Sequence, residues 1–266
     1  MTRSPGDGWL TGDAYESYMG RWSRPLARKF VEWLEAKPLA NWLEVGCGTG
    51  ALTSAISDLC RPASIVACDP SGPFIEYARK TFPDARASFV IAGAEALPSR
   101  DGGFDAIVSG LVLNFLPDVE RAVSSMRERL RQGGAVAAYV WDYADGLEFL
   151  RLFWDEAVTL DPGAAALDEG RRFPLCRPEA LGVLFRAAGL AQVETHSLEI
   201  PTNFATFDDY WTPFLQGTGP APNYVASLAP PNRESLERAL RQRLQVGSDG
   251  RIRLRARAWA ARALAN

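Results

Sequence analysis

The sequence predicts an α/β fold on three observations. Short apolar runs typical of buried strands alternate along the chain with helical patterns, as in proteins whose helices pack on a mostly parallel sheet. A turn punctuated by glycines, residues 46–50, joins the first of these runs to a helical segment that opens at Ala51. A chain of 266 residues with 47% hydrophobic content can bury one sizeable core. We therefore expect one domain with insertions rather than two equal domains.

Seven apolar runs predict strands, and segments with helical periodicity separate them. The predicted strands are residues 42–45, 64–68, 88–92, 104–108, 135–141, 192–200 and 252–260. The predicted helices are residues 51–59, 71–82, 117–131, 146–160, 178–188 and 233–244, after a helical stretch over residues 13–34 that is broken at Gly20. Residues 1–12 are predicted to be loose and residues 161–176 irregular.

Composition excludes several classes of function. A formal net charge of −3 predicts no attraction to polyanions such as nucleic acid. No charged and apolar leader opens the chain, and no apolar run is long enough to span a membrane. We therefore expect a cytoplasmic protein with no membrane partner.

Cysteine and histidine usage argues against a metal site. The four cysteines lack C-x-x-C spacing, and the chain has a single histidine, His196. We expect reduced thiols and no metal. A lone histidine in a predicted strand is typical of packing or of the surface, and we give His196 no catalytic role. The cysteines are Cys47, Cys60, Cys68 and Cys176.

Residues 43–50, Leu-Glu-Val-Gly-Cys-Gly-Thr-Gly, form the segment around which the chain is organised. Glycines let the backbone bend sharply and let a ligand approach without a Cβ in the way. The segment also satisfies the dinucleotide fingerprint G-x-G-x-x-G/A, which is a weak signal by itself. Two features favour a different ligand: Glu44 lies two residues before the first glycine, and the third glycine follows at the tighter spacing G-x-G-x-G.

This segment resembles the first motif of the class I S-adenosylmethionine (SAM) methyltransferases, E/D-x-G-x-G-x-G. Residues 92–110 are similar to the family's second region, and the helix, Gly133-Gly134 and apolar strand are similar to its third. The resemblance covers residues 15–143 in detail and points to methyltransferase type 11, near the quinone-biosynthesis and small-molecule enzymes. It implies a Rossmann-like sheet of seven strands, mostly parallel with the last antiparallel, helices on both faces, and SAM at the carboxyl ends of strands one, two and four.

The resemblance also implies which residues hold SAM. Glu44 would serve the amino group of its methionine part, and Asp69, about twenty residues beyond Gly48, its ribose hydroxyls. An Asp-Pro at a strand end is also typical of a simple turn. Tyr15, Tyr18, Arg21 and Trp22 would form a lid, although such aromatics equally suit packing. The predicted cofactor residues are Tyr18, Arg21, Glu44, Gly46, Cys47, Gly48, Gly50, Asp69, Pro70, Gly93, Ala94, Glu95, Ser109 and Leu111.

Two positions depart from the family. Gly93 replaces the acid that usually bonds the adenine amino group, so we expect weaker or differently shared adenine recognition. Asn114 stands where many relatives carry a histidine, which removes a possible general base because an amide does not titrate usefully. No catalytic base stands out, and methyl transfer mainly requires alignment of donor and acceptor in a dry pocket.

The remaining segments predict the acceptor. We divide the single domain into an N-terminal helical lid (1–40), a SAM-binding core (41–141) and two lid insertions (142–176 and 203–246). The insertions are rich in aromatic residues, so a small, apolar or aromatic acceptor is expected. Aromatic side chains buried in the core would give the same sequence pattern. The candidate substrate residues are Asn114, Trp141, Tyr143, Arg172 and Trp211.

Two other functions stay open. The chain could be a SAM-binding module or an enzyme, such as a cyclase, that uses SAM without methylation, or it could methylate nucleic acid. Arg251, Arg253, Arg255 and Arg257 fall on one face of the last predicted strand by its period of two. A basic stripe for nucleic acid is one interpretation, and a solvated strand face is favoured by the acidic net charge. The absence of an N-P-P-Y-type motif also lowers the nucleic-acid interpretation.

Overall fold

The computed structural model describes residues 16–216 and 219–265, and these form a seven-stranded sheet of order β3-β2-β1-β4-β5-β7-β6. The strands are β1 (Asn41–Val45), β2 (Ser64–Asp69), β3 (Ala87–Ile91), β4 (Phe104–Gly110), β5 (Leu130–Trp141), β6 (Ala191–Phe204) and β7 (Ile252–Leu264). Neighbours from β3 to β5 are parallel, and β7 is antiparallel to both β5 and β6. The predicted Rossmann-like fold, with seven strands and the last one antiparallel, is confirmed.

Helices connect the strands and cover the sheet. They are α1 (Arg21–Leu34), α2 (Ala51–Cys60), α3 (Gly72–Thr81), α4 (Val119–Glu128), α5 (Glu148–Leu160), α6 (Glu169–Arg172), α7 (Pro178–Ala187), α8 (Phe207–Trp211), α9 (Pro220–Ser227) and α10 (Pro230–Arg243). A short π-helical segment, Glu16–Gly20, precedes α1, and 3-10 turns lie at Leu113–Phe115, Pro162–Ala166 and Thr212–Gln216. Tyr15 and the rest of the predicted N-terminal lid before residue 16 lie outside the described residues.

Local sequence explains why these elements form. The apolar side chains Trp22, Leu26 and Phe30 recur every four residues along α1 and are all buried, so the helix packs one face onto the sheet. There the rings of Phe30 and Tyr139 lie 4.5 Å apart. Helix α3 begins where the Ser71 side chain accepts a hydrogen bond from the third residue beyond it and a proline occupies the first turn.

The prediction for residues 117–131 was wrong at its end. Helix α4 stops at Glu128, and Leu130 already pairs with Phe104 in the sheet. The register then shifts before the regular pairing of β5 begins at Ala135. Gly133, with φ of +69°, lies within this irregular part of the strand rather than capping a helix.

The two last strands are longer than predicted. β6 has 14 residues and β7 has 13, but β7 pairs with β5 only from Ala258 onward. Residues 252–257 therefore project beyond β5 and pair with β6, and on the other side Ala256 and Arg257 contact the backbone of residues 142–147. Buried Ile252 and Ala256 alternate there with exposed Arg253 and Arg255, so the arginine row belongs to a strand whose opposite face is core.

Residues of the two predicted insertions pack together. On α5, Phe153 stacks on Phe214 with ring centroids 4.6 Å apart, and Phe149 accepts a backbone hydrogen bond from the Tyr210 hydroxyl. All four side chains are at most 2% exposed. This cluster forms an aromatic core beside the sheet. Within the described residues, no helix is both long and apolar enough to cross a membrane.

The ion pair between Asp142 and Arg257 ties the end of β5 to the projecting part of β7. Asp142 Oδ2 lies 2.6 Å from one guanidinium nitrogen of Arg257, and only 3% of the Asp142 side chain is exposed. Arg257→Met would keep much of the apolar packing but leave a buried carboxylate without its cation. We expect urea denaturation to show a loss of about 2–4 kcal/mol.

Arg255→Met is the matched control, because the exposed Arg255 lies 3.5 Å from Glu148 and 72% of its side chain is exposed. That variant should lose less than about 1 kcal/mol. Equal losses in the two variants would contradict a structural role for the Asp142 pair.

Candidate cofactor site

A cavity of about 470 Å³ opens at the carboxyl ends of β1, β2 and β4. Because these strands are parallel, loops that are distant in sequence meet at this one edge of the sheet. Its volume falls within the range of small-molecule sites. The lining residues are Ser23, Glu44, Val45, Gly46, Cys47, Gly48, Thr49, Ala51, Leu52, Asp69, Pro70, Ser71, Phe74, Ala92, Gly93, Ala94, Glu95, Gly110, Leu111, Val112, Phe115, Leu116, Pro117 and Tyr139.

The glycine loop is fixed to the end of β2. The N–H groups of Gly46 and Cys47 donate to the Cys68 carbonyl over 2.8 and 3.0 Å. Gly46 has a φ of +77°, and a Cβ there would meet Val112. Gly48 has a φ of +52°, and a Cβ there would meet no atom within 4 Å. Glycine at position 46 is thus required by close packing, whereas Gly48 leaves open space at the cavity wall.

The Glu44 side chain is almost fully buried. The residue is 1% exposed, and the Thr53 hydroxyl on α2 donates to Glu44 Oε2 over 2.5 Å. Burial raises the pKa of Glu44 to about 8, against the lowering effect of the Thr53 hydrogen bond. The carboxyl therefore carries its proton at neutral pH until a cation reaches it.

Asp69 closes the loop from the other side. Its Oδ2 accepts from the Gly48 N–H at 3.0 Å, and its Oδ1 accepts from the Ser71 N–H at 2.8 Å. The second bond is the turn expected of an Asp-Pro strand end. Because the carboxylate also lies on the cavity wall, the turn and ligand interpretations are compatible.

The opposite wall is apolar. It includes Val112, Phe115 and Leu116, which sequence analysis did not select. Tyr139, on β5, was also missed, and its hydroxyl lies against Gly110, where a Cβ would come within 2.6 Å of it. The only sequence signal for Tyr139 was its position near the end of a predicted strand.

Four predicted cofactor residues lie off the cavity wall. Gly50, with φ of +86°, caps the start of α2, and the buried Ser109 hydroxyl donates to the Val45 carbonyl. Tyr18 packs edge-on against Phe214. Arg21 forms two hydrogen bonds to the Asp209 carboxylate, at 2.7 and 3.2 Å. The other ten predicted residues line the cavity: Glu44, Gly46, Cys47, Gly48, Asp69, Pro70, Gly93, Ala94, Glu95 and Leu111.

None of the five predicted substrate residues lines the cavity. Trp141 and Trp211 are buried, at 2% and 4% exposure, and Trp211 packs on Phe214. Asn114 lies in the turn next to the cavity wall, and neither polar atom of its buried amide has a hydrogen-bond partner.

Tyr143 and Arg172 meet at Phe173. The ring of Phe173 lies 5.5 Å from that of Tyr143, and the Arg172 guanidinium carbon lies 5.3 Å from the Phe173 centroid. Phe173 also packs edge-on against Phe115 at 5.1 Å. Through this contact, residues 142–176 reach the cavity wall.

The described residues contain no cluster of His, Cys, Asp and Glu suited to a metal ion. All four cysteines are free and buried. Burial, together with the nearby Glu44, raises the pKa of Cys47 well above its usual range, so this thiol in the glycine loop stays protonated and is a poor nucleophile.

The model of the methyltransferase domain family, type 11, matches residues 43–138. These residues carry the glycine loop and the strands that form the cavity. Residues 43–138 form a class I SAM-dependent methyltransferase domain.

Relatives support the same assignment of the methyltransferase domain. The chain is 33% identical over 120 residues to the "Probable tRNA methyltransferase 9B" of Homo sapiens, covering 44% of this chain and 24% of the relative. It is 35% identical over 127 residues to malonyl-[acyl-carrier protein] O-methyltransferase of Geobacter sulfurreducens, covering 47% and 46% of the two chains. The chain thus spans less than half the length of these relatives.

A solved structure shares the fold of the methyltransferase domain. Phosphoethanolamine N-methyltransferase 2 of Haemonchus contortus, solved in complex with SAM, superposes with a TM-score of 0.55 at 17% identity. The match covers 95% of this chain and 56% of that one. At this identity the likeness concerns the fold alone.

Gly48→Val tests the open space in the loop. The added side chain would enter the cavity, so we expect affinity for SAM to fall by more than about tenfold in isothermal titration. Gly102→Val is the control, because Gly102 also has a positive φ, of +80°, and open space around it, but lies outside the cavity lining. Both variants should lose similar stability. Unchanged affinity for SAM in Gly48→Val would show that the ligand does not bind at this loop.

The raised pKa of Glu44 predicts how stability depends on pH. The unfolded chain releases this proton near the ordinary value of 4.5, whereas the folded chain holds it to about pH 8. The folded state therefore binds more protons in that window, and its stability falls as pH rises, by up to about 1.4 kcal/mol per pH unit for this group. Urea denaturation between pH 5 and 8 measures this slope.

Glu44→Gln should flatten the slope without abolishing it, because burial also raises the pKa of Glu169 to about 7. The exposed Glu199 offers a control, since Glu199→Gln should leave the slope unchanged. A Glu44→Gln variant with the same slope as the parent chain would show that Glu44 is ionised in the fold.

Proposed function

We propose that this protein binds SAM in the cavity and transfers its methyl group to a small, neutral, largely apolar or aromatic acceptor. The observation that carries the proposal is the meeting of the glycine loop with Glu44 and Asp69 in one cavity of about 470 Å³. The bound cofactor would supply a methyl group on a cationic sulfonium. The cavity residues would bind and orient the two ligands and exclude water from the site.

The charges of the cavity suit a cationic ligand. Three carboxyl groups line it, from Glu44, Asp69 and Glu95, and within residues 16–216 and 219–265 no lysine, arginine or histidine does. An ammonium group beside Glu44 would return its carboxyl to the charged form, since an opposite charge favours ionisation. Glu44 and Asp69 would hold the methionine amino group and the ribose.

The same charges disfavour an anionic acceptor. Like charges in a partly buried site repel strongly, so a neutral acceptor is the better fit. The apolar wall of Val112, Phe115 and Leu116 offers it a contact surface. Phe173 backs this wall through its contact with Phe115, so residues 142–176 help to exclude water.

Asn114 is the proposed polar contact for the acceptor. A buried amide without partners costs about 1–3 kcal/mol for each unmet group, and both of its polar atoms are in that condition. A hydrogen-bonding group on the acceptor would satisfy them after a small shift of the turn. Asn114 cannot remove a proton, because an amide does not titrate usefully, so its proposed role is to orient the acceptor.

Methylation of nucleic acid is the second candidate, because relatives include the tRNA methyltransferase 9B described above. The arginines of β7 give it little support. Arg253 pairs with Asp249, Arg255 with Glu148, and Arg257 with Asp142. Each of these three arginine charges is balanced by a nearby carboxylate, so the row presents little net positive charge to attract a phosphate backbone. Cytoplasmic location stays a prediction.

Incubation of a cell extract with the protein and methyl-labelled SAM, followed by mass spectrometry, tests the proposal. A labelled small product is expected. Label in RNA or DNA would favour the second candidate, and saturable SAM binding without any labelled product would favour binding without transfer.

Phe115→Ala then tests the acceptor wall. The variant should lower turnover of the identified acceptor by about tenfold or more, since Phe115 lies on the apolar side of the cavity. Affinity for S-adenosylhomocysteine should change by less than about threefold. Phe82→Ala, which removes a ring packed on Phe89 away from the cavity, controls for lost packing. Equal effects of the two variants on turnover would contradict this placement of the acceptor.

A further inference from the structure

Gly93 and Glu95 form a coupled pair at the β3 side of the cavity. Both line the cavity. A Cβ built on Gly93 would lie 2.6 Å from Glu95 Cδ and would contact both carboxylate oxygens. The Glu95 carboxylate therefore occupies the space that any other residue at position 93 would fill. No described side chain forms an ion pair or a hydrogen bond with it.

The three carboxyl groups of the cavity follow the order of the strands. β3, β2 and β1 are consecutive in the sheet. Glu95 follows β3, Asp69 ends β2, and Glu44 lies near the end of β1. Since neighbouring strands are about 4.8 Å apart, these three strand ends span roughly 10 Å along the edge of the sheet, and each carries one of the carboxyl groups near or beyond its end.

The hydrogen-bond donors of SAM follow one another in the same way. The molecule carries an ammonium at one end, two ribose hydroxyls in its middle and the exocyclic amino group of adenine at its far end. A carboxylate is acceptor-only and bonds each of these donors well. Placing the ammonium at Glu44 and the ribose at Asp69 brings the adenine to the β3 side.

We propose that the Glu95 side chain accepts a hydrogen bond from the exocyclic amino group of adenine, and that Gly93 is needed to make room for that carboxylate. The inference rests on the proposed function, since it names a specificity residue of the same cavity. Glu95 selects adenine over purines that lack a donor at this position. Adenine recognition is thereby supplied from position 95, two residues beyond the site of the missing acid at position 93.

A thermodynamic cycle with S-adenosylhomocysteine and its analogue lacking the amino group tests this contact. Isothermal titration would measure both ligands on the parent chain, on Glu95→Ala and on the control Glu199→Ala. Removing the amino group should weaken binding to the parent chain about tenfold, the low end for a hydrogen bond to a charged group. The same removal should cost Glu95→Ala less than about twofold, because the partner is already gone.

The outcomes separate the two proposals. In one contradicting outcome, removal of the ligand's amino group weakens binding to Glu95→Ala as much as it weakens binding to the parent chain. In another, Glu199→Ala loses discrimination between the ligands to the same extent as Glu95→Ala. Either result would show that Glu95 does not contact the amino group, and the proposed function would still stand. If the folded parent chain binds neither ligand, the proposed function itself fails. Glu95 is exposed, so its substitution should leave the melting temperature unchanged.

Gly93→Ala offers an independent test that keeps the acid. The φ of Gly93 is not in the left-handed region, so alanine adds no backbone strain, but its methyl group would displace the Glu95 carboxylate. The variant should lose discrimination between the two ligands, as Glu95→Ala does. Full discrimination in Gly93→Ala would contradict the coupling of the pair.

Discussion

The attachment of the glycine loop to the end of β2 is the constraint on which the site depends. Gly46 and Cys47 donate to the Cys68 carbonyl, and Gly48 donates to the Asp69 carboxylate. These three bonds hold the loop open above the edge of the sheet, in a shape that requires positive φ at alternate residues. Asp69 thus shapes the loop while its carboxylate also forms part of the cavity wall.

Electrostatics and burial then divide the cavity into two halves. The half along β1, β2 and β3 carries acidic groups, among them a nearly dry Glu44 whose pKa is raised to about 8. The half beyond β4 is apolar and is backed by aromatic residues that follow β5. A cationic donor would bind in the acidic half and a neutral acceptor in the apolar half, and their reacting groups would meet between the two halves.

The sequence predicted the sheet well because each parallel strand is a short buried run bounded by turns. It also predicted most of the acidic half, since Glu44, Asp69 and Glu95 all sit at or just after strand ends, where parallel topology gathers them. The end of α4 was missed because Leu130 gains a sheet partner in Phe104, which no local pattern records.

Contacts between distant segments explain the other differences. Arg21 pairs with Asp209, 188 residues away, so it does not lie on the cavity wall. Trp141 and Trp211 are buried in the core rather than at the cavity, because a large aromatic ring stabilises the fold most when it is buried. Phe115 and Tyr139 line the cavity through packing geometry, and their sequence neighbourhood gave no polar or glycine signal for either.

The placement of the cofactor can be measured in a crystal structure of the protein with S-adenosylhomocysteine. The ligand is expected along the carboxyl edge of the sheet, with its ammonium at Glu44, its ribose at Asp69 and its adenine at the β3 side. A ligand bound elsewhere, or bound in the reverse direction with adenine at Glu44, would contradict this placement.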